Sequence, residues 1–318
     1  MADFLHDGEI ELENGLTGQL WEVETGDPAT FYEAVSEPGA VPLRTIYAQS
    51  FFPTGAVQPA MVVVVPGSMG IAPSHVYKAE LLTNAGYAAC LLDPFGARQV
   101  TSTVANQAQF SFAASAWDVL ATVAALTAKG QVNPSRIGVQ GHSRGGAAVL
   151  SAASMSKFVD FPGTMAGVYA AYPWCGQQFL NPDVGRTKVR SIVGDRDEWC
   201  LPQQVQGHMQ ALRLCGNDAT WRIVPGAHHS FDRATPVELI AEASVARSAP
   251  TIYIDDDGTS LHPVHGRSPA ATSERELMLY GIKAGYGTRG AHLGTDADHA
   301  GIFHADMMAF WRDCFGAP

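Results

Sequence analysis

Charge is scarce in this chain, and long apolar runs are missing. Asp, Glu, Lys and Arg make up 16% of the 318 residues, which argues against coiled coils and long disordered stretches. No apolar run approaches the roughly 20 residues that a membrane-spanning helix needs. The longest, MVVVV at 61–65, has the length and β-branching of a core strand. Basic residues are outnumbered 20 to 31, and the formal net charge of −11 argues against nucleic acid and anionic membranes as partners. The opening MADFLHDGEIELENG lacks the basic stretch and apolar run of a secretory leader, so a cytoplasmic location is expected. Cysteine is sparse as well. Cys90, Cys175, Cys200, Cys215 and Cys314 form no CxxC pair and no His-rich cluster, which disfavours a zinc site, and no cofactor is expected. An odd count in a long chain fits reduced, buried thiols; a bridge between Cys175 and Cys200 stays open. No internal repeat or low-complexity linker is visible.

What is present is alternation. Apolar runs at 58–67, 87–96, 135–143, 164–173, 188–195 and 219–226 read as strands buried on both faces. Segments at 74–86, 110–130, 144–156 and 201–216 read as helices, three of them closed by Gly86, Gly130 and Gly216. Buried strands alternating with helices predict a mostly parallel, twisted α/β sheet with helices on both faces. EIELEN (9–14), QLWEVET (19–25) and LRTIYAQS (43–50) alternate more clearly and fit an antiparallel edge. After residue 232 the pattern weakens. TIYIDDDGTSLHPVHG predicts a hairpin turning at DDG, and GYGTRGAHLG reads as a Gly-rich loop. Residues 297–315 predict a helix that packs back on the sheet.

One turn stands out. GHSRGG at 141–146 joins a predicted strand to a predicted helix. The turn either needs small residues only, or it holds Ser143 out as a nucleophile in a G-x-S-x-G elbow. A serine hydroxyl needs a general base, and the base needs an orienting acid. Asp195 and Asp197 follow the strand at 188–195, and His228 and His229 follow the strand at 219–226. Composition and spacing leave each pair open.

VVVVPGSMGI (62–71), LLDPFGAR (91–98), RIGVQGHSRGG (136–146), VGDRDEWCLP (193–202) and VPGAHHSFD (224–232) together resemble the dienelactone hydrolase family of the α/β-hydrolase superfamily. The likeness covers roughly residues 58–232. It implies the α/β-hydrolase fold and the chain order Ser, Asp, His. The family's G-x-x-D pattern selects Asp197 over Asp195, and its His before a small residue and Phe selects His229 over His228. It implies oxyanion donors at the backbone N–H groups of Arg144 and of Ser68, with Met69 next. Two departures matter. Well-known members carry a cysteine where this chain has Ser143, and a glutamate near the position of Pro66-Gly67. The resemblance therefore does not bring a lactone substrate with it.

The expectation is a serine hydrolase for a small-molecule ester or lactone. Amide or C–C bond hydrolysis and acyl transfer on the same residues are the rivals, followed by a non-catalytic binding protein. Arg98 and Arg144 are candidates to hold a substrate carboxylate, or else are ion-paired. Trp174 and Trp199 are candidates for an aromatic wall, or else pack the core edge. The gap at 174–187 is too short for a helical cap. The whole of 1–318 reads as one domain, in which the irregular stretch 233–295 covers the pocket or forms a homo-oligomer contact.

Overall fold

The computed structural model describes residues 4–233, 235–270 and 272–316. Ala234 and Ala271, within the stretch 233–295, and both ends of the span 1–318 lie outside the described residues. The first half of the chain runs β1 (Gln19–Gly26), α1 (Phe31–Ser36), β2 (Leu43–Phe51), β3 (Met61–Val65), α2 (Pro73–Asn84), β4 (Ala88–Asp93), α3 (Phe112–Lys129), β5 (Ile137–His142) and α4 (Arg144–Met155). It continues through β6 (Gly167–Ala171), β7 (Gln177–Phe179), β8 (Lys188–Gly194), α5 (Pro202–Leu214) and β9 (Ala219–Val224). Then follow β10 (Glu238–Val245), β11 (Ile252–Ile254), β12 (Ser260–His262), β13 (Gly266–Arg267), α6 (Glu274–Lys283), β14 (Thr288–Leu293) and α7 (His299–Phe315).

Eight strands form one sheet in the order β1-β2-β4-β3-β5-β6-β8-β9. β1 and β2 pair antiparallel with each other, β2 pairs antiparallel with β4, and every other neighbour is parallel. Every residue of β3, β4, β5 and β6 is buried, as their continuous apolar runs require of strands covered on both faces. The covering helices are marked locally. Ser111 caps α3 by accepting from Ala114 N–H at 2.8 Å, and Gly130 stops it at φ 65°. α7 returns to the sheet under β5, where Trp311 sits against Gly138 and donates to Gln140 Oε1 at 2.9 Å. This is the α/β-hydrolase fold.

Several expectations are corrected. Residues 9–14 form no strand; Glu11 makes a single bridge to Thr17, because only Leu12 of that stretch is buried. The stretch 233–295 carries regular structure. β10 and β14 pair as an antiparallel ribbon with a register shift between Ile240 and Ser244, and the expected Gly-rich loop holds β14. The hairpin turning at Asp255–Gly258 is present as β11 and β12. It joins β13 and β7 in a small sheet of order β13-β12-β11-β7, so the short gap 174–187 supplies a strand. The excursion leaves and rejoins the main body at one neck, where Thr295 N–H donates to Thr235 O at 2.7 Å. Among the described residues no helix is long and apolar enough to cross a membrane.

Candidate active site

β5, β8 and β9 run parallel and end on the same edge of the sheet, so the turns after them converge. Ser143 follows β5 with φ 55° and ψ −112°, a left-handed conformation costly for a non-glycine residue. Its neighbours must be small. A Cβ on Gly141 would lie 2.0 Å from Gly145 O, and one on Gly145 would lie 2.5 Å from both Val65 O and Pro66 O. The glycines of GHSRGG are therefore set by backbone crossing, with β3 packed behind the turn.

The structure brings Ser143, His229 and Asp197 together. His229 Nε2 is 3.0 Å from Ser143 Oγ, and His229 Nδ1 is 2.7 Å from Asp197 Oδ2. All three are buried. Asp197 Oδ1 accepts the Trp199 and Cys200 N–H groups at 2.9 and 2.8 Å, which fixes the carboxylate. The His229 ring meets the edge of Tyr172 at 4.8 Å and lies 5.1 Å from Trp199. Gly294 N–H holds the His229 carbonyl at 2.8 Å. Asp195 is exposed and accepts Gly226 N–H at 2.7 Å, serving the turn. His228 points elsewhere, its ring 5.8 Å from His292.

The PGSMG loop lies over this centre. A Cβ on Gly67 would stand 3.2 Å from Ser143 Cβ and 3.1 Å from His142 O, a tight fit that glycine relieves where this loop crosses the Ser143 turn. Ser68 is buried, accepts from Gln107 Nε2 at 3.0 Å, and borders two cavities. Met69 lines the smaller of them. Trp174 and Trp199 both line the larger cavity, and Trp174 stacks on Phe112 at 4.6 Å.

The arginine candidates fare differently. Arg98 is corrected: its guanidinium is locked between Asp118 at 2.7 Å, Asp27 at 3.0 Å and Pro94 O, and it lines neither cavity. The Arg144 side chain is also committed. It donates to Gln107 O and Phe110 O and lies between the Phe110 and Phe112 rings at 4.4 and 4.1 Å. Burial lowers it to about 10, so it stays charged at neutral pH and serves as a structural cation.

Some residues at the site carried no sequence signal. Cys200 Sγ is 3.8 Å from Ser143 Oγ; burial, with Asp197 nearby, raises its pKa well above the usual thiol range and keeps it neutral. Cys175 and Cys200 are free thiols. Behind His229 lies a buried ion pair, Lys78 with Asp232, and Tyr172 Oη donates to Asp232 at 2.6 Å. Burial favours the neutral acid. Yet the Lys78 charge and the hydrogen bonds from Lys78 and Tyr172 hold Asp232 far below the usual carboxylate range. Burial lowers His142 to about 3, so its ring is neutral. Arg233 borders the smaller cavity with Nη1 3.5 Å from Met69 Sδ. Among the described residues no cluster of His, Cys, Asp and Glu is arranged to hold a metal ion.

The sequence profile of the dienelactone hydrolase family matches residues 46–250. The chain belongs to the dienelactone hydrolase family. It is accordingly a carboxylic ester hydrolase. No curated protein matches the sequence. Among solved structures, the fold is similar to an esterase/lipase from an uncultured bacterium (14% identity, 70% of this chain and 79% of that one, TM-score 0.50). It is also similar to a protein described as a dienelactone hydrolase from Klebsiella pneumoniae (20% identity, 67% and 89%, TM-score 0.48). A third is a dienelactone hydrolase-like promiscuous phosphotriesterase from metagenomic libraries (17% identity, 85% and 100%, TM-score 0.48). At 14% identity the first of these likenesses speaks to fold alone, and the profile match carries the family.

Proposed function

We propose that this dienelactone hydrolase family member cleaves a carboxylic ester or lactone through a seryl acyl-enzyme. Ser143 Oγ attacks the carbonyl carbon while His229 takes the hydroxyl proton, and His229 then passes that proton to the departing alkoxide. Asp197 holds His229 in the tautomer whose Nε2 can accept, and it stabilises the imidazolium that forms. The backbone N–H of Arg144, at the start of α4, and that of Ser68, with Met69 adjacent, bind the oxyanion. Water activated by His229 releases the acid. The observation that carries this reading is the continuous hydrogen-bond chain from Asp197 through His229 to Ser143, with neither link longer than 3.0 Å.

The test is direct. Turnover of p-nitrophenyl acetate should fall on the order of 10⁴-fold or more in Ser143→Ala and in His229→Ala. A fluorophosphonate should add its mass at Ser143. Full activity in both variants, or an unlabelled native enzyme, would sink the assignment.

A further inference from the structure

Two cavities of very different size meet at Ser143. One has a volume of about 180 Å³ and runs beneath α6; the other has about 20 Å³. Ser68, Ser143 and Trp199 border both. His229 borders the small one and is absent from the lining of the large one. That asymmetry, combined with the chemistry, orients the substrate.

In acyl transfer the Oγ–carbonyl carbon bond forms and the carbon–alkoxy oxygen bond breaks. The proton lost by Ser143 reaches the leaving alkoxy oxygen through His229 Nε2. The alkoxy oxygen must therefore stand where Nε2 is accessible, and its substituent grows into the cavity that His229 borders. A space of about 20 Å³ takes little more than one water molecule or a methyl group. The acyl substituent is left with the large cavity. Phe112, Trp174, Val245, Leu277, Met278 and Ile282 line it, a surface suited to an aromatic or other bulky apolar group.

We infer that the substrate is an ester of a bulky, ring-bearing carboxylic acid with a small alcohol, acyl group under α6 and alcohol beside His229. This rests on the assignment of Ser143 as nucleophile and His229 as base.

Methyl naphthylacetate and naphthylmethyl acetate test it. They are isomers with the ester reversed, and both release an alkyl alcohol. The expected kcat/KM favours methyl naphthylacetate by at least about tenfold. Equal rates or the opposite preference would overturn the orientation, as would hydrolysis of neither isomer by an enzyme that still labels at Ser143. Ser143→Ala separates the two claims: if it still turns over either ester, the nucleophile assignment itself fails. A second variant fills the cavity. A Cβ on Gly281, which lines it from α6, meets no atom within 4 Å. Gly281→Phe should lower the kcat/KM ratio of methyl naphthylacetate to methyl acetate by about tenfold. Because this is a ratio within one protein, partial loss of folded enzyme does not alter it. An unchanged ratio counts against the acyl group lying under α6.

Discussion

Two aspartates stand two positions apart after β8 and do different work. Asp197 is buried, orders the next turn through two N–H groups and meets His229, whereas Asp195 is exposed and holds Gly226. Asp197→Asn should reduce kcat by roughly 10³–10⁴-fold, since an amide favours the wrong His229 tautomer. Asp195→Asn should stay within a few-fold of the parent enzyme. Steady-state kinetics on one ester checks both, and a large loss in the Asp195 variant with a small one at Asp197 would reverse the assignment. At this scale the sequence was legible where chemistry rides on a short motif. Ser143 announces itself by flanking glycines, and the acid and base by following strands. The choice within each pair came from the family pattern alone. Cys200 was not legible as Ser143's neighbour, because 57 residues separate them and only the convergence of β5 and β8 joins them.

Among the α-helices, α6 is the one least anchored by packing. None of its residues is buried. It roofs the large cavity and is tied at its start by Glu274, whose carboxylate accepts Phe112 N–H at 2.7 and 2.8 Å and Ala113 N–H at 3.3 Å, at the N-terminus of α3. Glu274 is half-buried as a residue, but its carboxyl is turned inward and desolvated, which raises it to about 7 against the pull of these N–H groups and of Arg144. The sign follows. The seated helix holds the proton more tightly than a released one, whose Glu titrates near 4.5. Seating is therefore strongest below about 4.5 and weakens as pH rises to about 7. Amide hydrogen exchange over 274–283, corrected for intrinsic rates, should show faster opening at pH 8 than at pH 5, and Glu274→Gln should flatten that difference. A dependence that survives in the variant would place the titrating group elsewhere. α6 carries a start signal, the Ser273–Glu276 capping box, and Leu277, Met278 and Ile282 make an apolar face toward the cavity, but that stripe is short and none of it is buried, so it reads weakly in the sequence.

For the molecule as a whole, the parallel sheet was legible because strands covered on both faces have no freedom in their polarity. The buried ion pair beneath it was not. His75, Lys78, Ala79 and Leu82 form one buried face of α2, yet a lysine on a helix reads as solvated, and its partner Asp232 lies 154 residues away. Lys78→Met leaves that carboxylate uncompensated and should cost about 3–5 kcal/mol of global stability in urea unfolding. Asp232 is held below its ordinary 3.8. Its contribution is thus present above that pH and is lost as the pH falls below it. Stability at pH 3 should drop more in the parent than in Asp232→Asn, and equal slopes would remove the pair from acid unfolding.

The excursion from 236 to 294 was the least legible region, since β11, β12 and β13 are two or three residues long. Its narrow neck, one backbone hydrogen bond between Thr235 and Thr295, has a bearing on descent. Everything proposed for bond breaking lies outside the neck, while Val245, Leu277, Met278 and Ile282 lie inside it. A lineage could exchange this one contiguous stretch of gene and inherit a different diet with the chemistry intact.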